Sequence, residues 1–437
     1  MKKSENYFTR LPLFYGWIVV AVAFVTMAIA VNARTSFSLL FPAILAEFQW
    51  DRSVTAGAFS IGFVASGFFT PVVGMAMDRW GPRLVIPLGA LMVIAGFLGA
   101  TTVTSPLGVY VTLGVLVISG SIAMSYISHS MFLPHWFARK RGLAIGIAFS
   151  GVGIGSITLL PWFQNIIVTE GWRQACLVIA ASVVIIIPLA AYFQRQFPGD
   201  LGLEPDGDGG TSDSKTRIPV DTVVDRAWAE TDWTLGLAIK TARFWWIFLA
   251  YFTALFVWYA VLVHQTIYLI ESGFDSTVAA TALGLVGLFG IIGQIGIGAL
   301  SDRIGREWAW TISMSGYIVC YAALLALSSV PSQLLLYLMV GMQGLLGFGL
   351  ASIYGAVSAE IFSGHRFATI FALAGLGGNM GAGAGPWVMG YIFDTTGSYL
   401  PAFWLCIAVS ALSIFSIWMA SPRKVRLVSG QAARRAA

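Results

Sequence analysis

Long apolar stretches follow one another along almost all of this 437-residue chain. A bilayer core is crossed by about 20 apolar residues in a helix, so we divided the chain at its charged or Gly/Pro-marked breaks. The resulting stretches are 14–40, 53–76, 84–103, 107–134, 142–168, 173–195, 243–270, 276–300, 308–329, 332–360, 367–392 and 400–421. Only 10% of the residues are charged, which is too few to cover a soluble globule. The sequence therefore predicts an all-α membrane protein with twelve transmembrane helices.

The positions of the basic residues predict the orientation of these helices. All but three of the 25 Lys and Arg residues fall in segments assigned to one side, the exceptions being Arg34, Arg52 and Arg173. Cytoplasmic segments of membrane proteins are rich in Lys and Arg, so both termini are expected in the cytoplasm. In a membrane protein the position of each Lys and Arg matters more than the net charge of +5, so no nucleic-acid partner is expected.

Cofactor and metal motifs are missing from the sequence. The three cysteines Cys176, Cys320 and Cys406 lie inside apolar runs, where buried thiols are more typical than disulfides or metal ligands. The glycine clusters at 151–156 and 375–386 lack the Gly-Lys-Ser/Thr ending of a phosphate loop, so they predict close helix packing instead. We expect no cofactor, no metal and no enzymatic activity.

A short cassette occurs twice, as GMAMDRWGPR from Gly74 and as GALSDRIGRE from Gly298. The two copies are 224 residues apart, and the same offset pairs other residues of the two halves. Internal repeats of this kind are typical of transporters whose solute site lies near mid-membrane. The predicted organisation is a six-helix half at 1–195, a cytoplasmic linker at 196–242, a second six-helix half at 243–421 and a cytoplasmic tail at 422–437.

Each cassette is expected in a short cytoplasmic loop, where it serves either as a charged topological anchor or as a gate latch. Glycine permits a tight turn, and aspartate can cap a helix or pair with arginine. Repetition at a fixed offset favours the latch. The proposed gating residues are Gly74, Asp78, Arg79, Gly81, Arg83, Gly298, Asp302, Arg303, Gly305 and Arg306.

The cassette resembles the loop motif of the major facilitator superfamily, and the resemblance covers the whole chain. The strings at 14–24, 34–53, 135–156 and 261–274 are similar to the bacterial monocarboxylate-transporter-like branch, which includes oxalate/formate exchangers. This resemblance implies alternating-access transport of a small organic anion, driven by proton symport or by exchange. Membrane lipids are then further partners, and so are protons where symport applies.

Arg34 is the leading candidate for binding an anion. It lies 20 residues after Phe14, about 30 Å along a helix, near the outer end of the first span. A guanidinium there can bind a carboxylate with two hydrogen bonds, although it can also extend to the outer membrane interface. Nearby Asn32 is expected to make helix contacts instead.

Further candidates for solute contact are polar residues at helical spacings inside the spans. They are Tyr126, His129, Tyr259, His264, Gln294, Tyr354 and Asn379. For the histidines and tyrosines the alternatives are packing or an outer aromatic girdle, and for the amides a helix-to-helix hydrogen bond. Glu360 is expected to pair with loop arginines.

Gln294 departs from the pattern of the family. Carriers of the branch commonly have an arginine at this position, eight residues before the second cassette aspartate, and glutamine cannot neutralise an anion. This difference keeps open a carrier or exporter of a neutral or amphipathic solute. A transporter-shaped sensor is disfavoured because the linker and tail contain no recognisable signalling domain.

Overall fold

The computed structural model describes residues 14–137, 141–204, 223–330, 332–362 and 367–436. These residues form helices almost throughout, joined by short turns, with one isolated β-bridge between Val223 and Arg426. Eleven helical segments in the described part are long and apolar enough to cross a membrane. The glycine-rich helix Phe367–Thr396, 30 residues long, supplies a twelfth.

The twelve long helices are numbered α1 to α12 in chain order. The first six are α1 (Tyr15–Thr35, continued by Phe37–Phe48), α2 (Arg52–Trp80), α3 (Pro82–Ala100), α4 (Pro106–Val109 through Tyr126–Trp136), α5 (Arg141–Glu170) and α6 (Trp172–Val184, continued by Ile186–Phe193). The second six are α7 (Ala242–Glu271), α8 (Ser276–Ile304), α9 (Arg306–Leu327), α10 (Gln333–Gly341 through Leu350–Ile361), α11 (Phe367–Thr396) and α12 (Leu400–Ala420). A tail helix, α13, spans Ser429–Ala436.

Glycine makes the tight turn in each cassette. Gly81 between α2 and α3 has φ of 69°, and Gly305 between α8 and α9 has φ of 104°. Residues with a Cβ rarely adopt these angles, so the cassette glycines allow one helix to end and the next to begin within one residue. Each glycine follows the aspartate of its own cassette, Asp78 or Asp302, at the same spacing. The turn therefore has the same place in both copies.

Helices α4 and α10 are interrupted at equivalent positions of the repeat. In α4 a π-helical stretch, Tyr110–Ile118, is followed by a break at Ala123–Ser125. In α10 the π-helical stretch Met342–Leu346 is followed by a 3-10 turn at Gly347–Gly349, which is 224 residues after the break in α4. π-Helical turns inside membrane helices are often found at functional sites.

The chain forms two compact units, and each has its own core. Unit 1 comprises Met1–Ala43 and Ile61–Thr216, and unit 2 comprises Ile44–Ser60 and Arg217–Ala437. The start of α2 therefore belongs to unit 2. In unit 1, Gly151 of α5 packs directly on the backbone carbonyl of Phe24 in α1.

The same type of packing joins α7 and α11 in unit 2. Gly381 lies against the carbonyl of Phe252, and Gly385 lies against the carbonyl of Phe256 one turn further on. Small residues allow two membrane helices to approach at backbone distance. The structure thus confirms close helix packing as the role of the two glycine clusters.

Candidate solute site and gates

Arg34 lies in unit 1, in the last turn before the bend that divides α1. Its half-buried side chain lines a crevice too narrow to admit a water molecule and lies 5.8 Å from the centre of the Phe63 ring. The other lining residues are Ala33, Phe37, Leu40, Phe97, Leu113 and Val117. Among the described residues, no carboxylate forms an ion pair with Arg34. The crevice has to widen before an anion can contact the guanidinium, whose apolar surroundings then strengthen the attraction.

Tyr126 and His129 lie in the first turns of α4 after its break. Tyr126 packs edge-on against Phe149, with 4.8 Å between the ring centres. His129 is fully buried, and its Nδ1 lies 2.9 Å from the Ser125 carbonyl. A carbonyl can only accept, so Nδ1 carries the proton. Nε2 is then an acceptor with no hydrogen-bond partner in the described part of the chain.

Asn32 joins α1 to α5. Its Nδ2 donates to the carbonyls of Ala28 (2.7 Å) and Val152 (3.0 Å), and its Oδ1 accepts from the Ser156 hydroxyl (2.8 Å). These bonds use the donors and the acceptor of the amide. The prediction that Asn32 makes helix contacts is confirmed.

Tyr259 and His264 lie on α7 in unit 2 in different surroundings. Tyr259 is half-buried, with its ring 5.7 Å from that of Phe59. His264 is buried, and its Nε2 donates to the Pro386 carbonyl at 2.9 Å. Its Nδ1 consequently accepts from the Tyr399 hydroxyl at 2.8 Å. His264 therefore links α7 to α11 and to the start of α12.

Gln294, Tyr354 and Asn379 lie on α8, α10 and α11 of unit 2. The Gln294 carbonyl accepts from the hydroxyl of Ser352 at 2.6 Å, two residues before Tyr354 in the chain. A Cβ atom on Gly378, the neighbour of Asn379, would overlap the Tyr354 hydroxyl. Gln294 and Asn379 are both half-buried. These contacts join α8 to α10 and α10 to α11 next to the three predicted residues.

The second cassette forms a network of ion pairs. Arg306 binds Asp302 at 2.8 Å and Glu360 of α10 at 2.7 Å, and it also donates to the Ser301 hydroxyl. The prediction that Glu360 pairs with a loop arginine is confirmed. Arg303 is exposed. Arg306 thus connects the α8–α9 turn to α10.

The tail folds over this cassette. Gln431 Nε2 donates to the Ile304 carbonyl at 2.6 Å, which satisfies a backbone group at the end of α8. Gly430 packs against the backbone of Asp302 and Arg303. A pocket of about 320 Å³ lies beneath the tail. It is lined by Asp302, Arg306, Ala356, Ala359, Glu360, Arg426, Leu427 and Val428.

The first cassette packs against the end of α6 and the residues that follow it. Arg83 Nε donates to the Ala191 carbonyl at 2.9 Å, and Gly81 lies against the side chain of Gln196. Burial, followed by the nearby charge of Arg83, lowers the pKa of Arg195.

The remaining residues of the first cassette make fewer interactions. Gly74 faces α4, where a Cβ atom on it would lie 3.7 Å from Met131. Gly298 faces α10 in the corresponding way, with Ser352 at 3.2 Å. Arg79 lies over the Trp80 ring at 5.7 Å, and the side chain of Asp78 is outside the described residues.

The sequence did not predict the charge cluster around Arg52. The Arg52 guanidinium binds both carboxylate oxygens of Glu271, one of them at 3.0 Å, and donates to the Tyr399 hydroxyl at 2.8 Å. Asp394 of α11 accepts from the backbone N–H groups of Arg52 and Ser53, both at 2.8 Å. A carboxylate at a helix N-terminus satisfies free donors and is favoured by the helix dipole. We call these residues the Arg52 clamp.

The clamp lies at the end of unit 2 opposite the second cassette, because α7 ends and α8 begins there. Arg52 appeared in the sequence only as one of three arginines outside the cytoplasmic segments. That exception was the one signal that could have identified it. The clamp holds the start of α2 to α7, α11 and the residue before α12.

The apolar helices, the repeated cassettes and the interrupted α4 and α10 define a multi-pass membrane protein of the secondary transporter class. The chain belongs to the Major Facilitator Superfamily, whose sequence profile matches residues 22–354. Both the predicted family and the predicted twelve-helix fold are confirmed.

The relatives of the chain are transporters. Monocarboxylate transporter 13 of Bos taurus is 25% identical over 394 residues, which cover 89% of this chain and 85% of that protein. The oxalate:formate antiporter of Oxalobacter formigenes is 26% identical over 295 residues, covering 66% and 64%. A solved bacterial homolog of the human lysosomal transporter Spinster has the same fold, with a TM-score of 0.68 at 15% identity and coverage of 93% and 97%.

Proposed function

We propose that this protein is a secondary active transporter of a small organic anion, a monocarboxylate or related short carboxylate. It moves its solute by alternating access, coupled to protons or to exchange, without chemical conversion. Arg34 is the observation that carries the proposal, since it is a cation in an apolar crevice with no carboxylate partner among the described residues. The monocarboxylate and oxalate:formate relatives support the same class of solute.

The other predicted residues shape the solute path within each unit. In unit 1, Tyr126 and His129 follow the break in α4, and His129 Nε2 is available to accept a hydrogen bond. In unit 2, Tyr259, Gln294, Tyr354 and Asn379 offer neutral polar contacts. His264 is a positioning residue, since both of its ring nitrogens are already hydrogen-bonded.

The cassettes act as gate latches at the cytoplasmic side, with both termini in the cytoplasm of a bacterial-type inner membrane. Arg306 supports the latch because it has to release Glu360 before α10 can move relative to the α8–α9 turn. Most of the basic residues lie in segments assigned to this side, which supports the orientation.

A solute panel in proteoliposomes, with and without an inward pH gradient, tests the proposal. We expect saturable uptake of short carboxylates, and Arg34→Ala should reduce it roughly 10-fold or more because a charge-assisted hydrogen bond is lost. Arg34→Lys, which retains the charge, should preserve part of the uptake. Carboxylate uptake unchanged in Arg34→Ala would contradict the assigned role.

Gln294 favours a second candidate, a carrier or exporter of a neutral or amphipathic solute. No charged side chain replaces the family arginine at this position, so unit 2 has no cation for a carboxylate there. Competition between labelled neutral and anionic solutes in the same vesicles separates the two functions.

A further inference from the structure

The chain turns sharply where it leaves α12. Ser421 has φ of 49°, an angle that few residues with a Cβ atom adopt. Its hydroxyl donates to the Trp418 carbonyl at 2.5 Å, and the short 3-10 turn Pro422–Lys424 follows. Both Ser421 and Pro422 are buried. The start of the tail is therefore an ordered part of unit 2.

The next residues of the tail are attached on two sides. The Arg423 N–H donates to the carboxylate of Glu307, in the first turn of α9, at 2.8 Å. The Val425 carbonyl accepts from the Val224 N–H at 2.9 Å, and Val425 is fully buried. We call residues 422–426 the tail root. The root thus joins α9 to the segment that precedes α7.

That segment holds the last turn of α10. Trp228 Nε1 donates to the Ile361 carbonyl at 2.8 Å. The Trp228 ring lies 6.0 Å from the ring of Phe362, the residue after α10, and Trp233 packs edge-on against the same ring at 5.1 Å. The tail root is consequently connected to the end of α10 through residues that precede α7.

Gly430 and Gln431, which we call the tail tip, cover the turn of the second cassette. Gln431 Nε2 donates to the Ile304 carbonyl and lies 2.6 Å from the place that a Cβ atom on Gly305 would take. A Cβ atom on Gly430 would lie 2.7 Å from the Cα atom of Arg303, so only glycine permits this approach. The tail tip therefore holds the α8–α9 turn directly.

Root and tip together span the joint that the second latch closes. Arg306 of the α8–α9 turn binds Glu360 of α10 across this joint at 2.7 Å. The tip holds the same turn, while the root is connected to the end of α10. The tail thus bridges the joint a second time, and the tip adds a hydrogen bond and backbone packing to that bridge.

The first cassette is covered by a similar contact within unit 1. A Cβ atom on Gly81 would lie 3.1 Å from Gln196 Oε1, as one on Gly305 would lie against Gln431. Each glutamine follows the last helix of its own set of six, α6 or α12, but the two do not share the 224-residue offset of the cassettes. Segments at different places in the repeat make the same contact, which indicates that covering this turn serves the gate.

We propose that the tail is an autoinhibitory strap on the second latch. Its seated tip slows the separation of the α8–α9 turn from α10, and displacement of the tip speeds the opening of this gate. The strap adds a regulatory element to the gate latch of the proposed function, on which it rests. Because the strap controls a conformational step and leaves the solute contacts alone, its signature is a change in kcat at constant KM.

Three variants of the tail test the strap in proteoliposomes, with uptake of labelled oxalate and labelled propionate as the measurement. Gln431→Ala removes the hydrogen bond to Ile304, Gly430→Ala places a Cβ against Arg303, and a third variant lacks residues 427–437. We expect kcat to rise roughly 2- to 10-fold in each, as loss of about one hydrogen bond lowers the barrier to gate opening. KM should stay nearly unchanged.

Arg434→Ala is the matched control. Arg434 lies on the same tail helix as Gln431, but its side chain is exposed. This variant should have the kcat and KM of the wild type. A rise in kcat equal to that of Gln431→Ala would mean that the charge of the tail, and not its seated tip, controls the rate.

Hydrogen–deuterium exchange of Leu350–Ile361, the last part of α10, gives a readout that needs no solute. Exchange there should be faster in Gly430→Ala and Gln431→Ala than in Arg434→Ala, since the bridge across the joint is weakened. The strap is overturned if kcat stays at or below the wild-type value in all three tail variants, or if α10 exchange is unaltered in both. Absence of uptake of either carboxylate by the wild type would instead overturn the proposed solute class, whereas faster α10 exchange would still support the strap.

Discussion

The guanidinium carbon of Arg52 lies 3.5 Å from the centre of the Phe393 ring, while its nitrogens bind Glu271 and Tyr399. The planar Arg52 guanidinium thus stacks on a ring with its face and forms hydrogen bonds with its edge. Arginine suits this arrangement, since a lysine ammonium cannot stack and bind a carboxylate in two places at once. The Arg52 clamp consequently depends on the shape of the guanidinium as well as on its charge.

We expect Arg52→Lys to lower the free energy of unfolding by about 1 kcal/mol, because bidentate pairing and stacking are lost at a site where Glu271 is partly exposed to solvent. Thermal unfolding in detergent, followed by intrinsic fluorescence, measures the effect. Arg303→Lys is a suitable control because Arg303 is exposed. Equal melting temperatures for Arg52→Lys and wild type would show that the clamp does not stabilise unit 2.

Close packing of α11 on α7 predicts that Gly381→Ala is strongly destabilising. Its new Cβ would overlap the Phe252 carbonyl, so the helices have to separate at a cost of roughly 1–3 kcal/mol or more. Gly375→Ala on the same helix is the control, since a Cβ there meets no heavy atom within 4 Å. A similar fall in melting temperature for both variants would contradict this explanation.

The network around Arg306 predicts the phenotype of Asp302→Asn. Loss of the carboxylate charge weakens the pairing with Arg306 without altering any predicted solute contact. We expect slower turnover with nearly unchanged substrate affinity, measured as kcat and KM for uptake. A large loss of affinity at normal turnover would place Asp302 in the solute site and not in a gate.

Asp275 predicts a pH dependence of stability. The Thr277 backbone N–H donates to its carboxylate at 2.7 Å, and this bond lowers the pKa of Asp275. A carboxyl whose pKa is lower in the folded state stabilises the fold above its unfolded pKa of about 3.9, and the effect disappears as pH falls through the folded pKa.

The melting temperature of Asp275→Ala should therefore lie below that of wild type at neutral pH. The two values should converge as pH falls below about 4. A difference that stays constant across this range would mean that the helix cap does not depend on the ionised carboxylate.

Much of the fold followed from local features of the sequence. Apolar length located the helices, and the repeated cassette located the turns at Gly81 and Gly305. The pairing of Glu360 with Arg306 could also be predicted, because both lie at ends of helices that face the same side. These features depend on hydropathy and charge, which a single sequence records directly.

Other features depend on contacts between distant parts of the chain. Arg52 is 219 residues from Glu271 and 347 from Tyr399, so no local pattern relates them. The first helix also runs on to Phe48, beyond the predicted end at residue 40. Its bend at Ser36 is compatible with a continuing helix, as the Ser36 hydroxyl bonds to the Ala33 carbonyl.

The interruptions of α4 and α10 were missed for a different reason. The stretch from Ser119 to Ser125 contains small and polar residues but no proline, so composition alone predicts a continuous helix. Only the backbone conformation in the structure reveals the break. The equivalent region of α10 contains Gln343, whose buried amide has no hydrogen-bond partner among the described residues.

The β-bridge between Val223 and Arg426 has a practical consequence for protein engineering. Val224 N–H donates to the Val425 carbonyl at 2.9 Å, so the second set of six helices begins and ends at one place. If the chain were cut before Val223, the two ends of the second fragment would remain hydrogen-bonded to each other. The two sets could then be produced from separate genes, with affinity tags placed at the cut and away from the tail, and purified as a split pair.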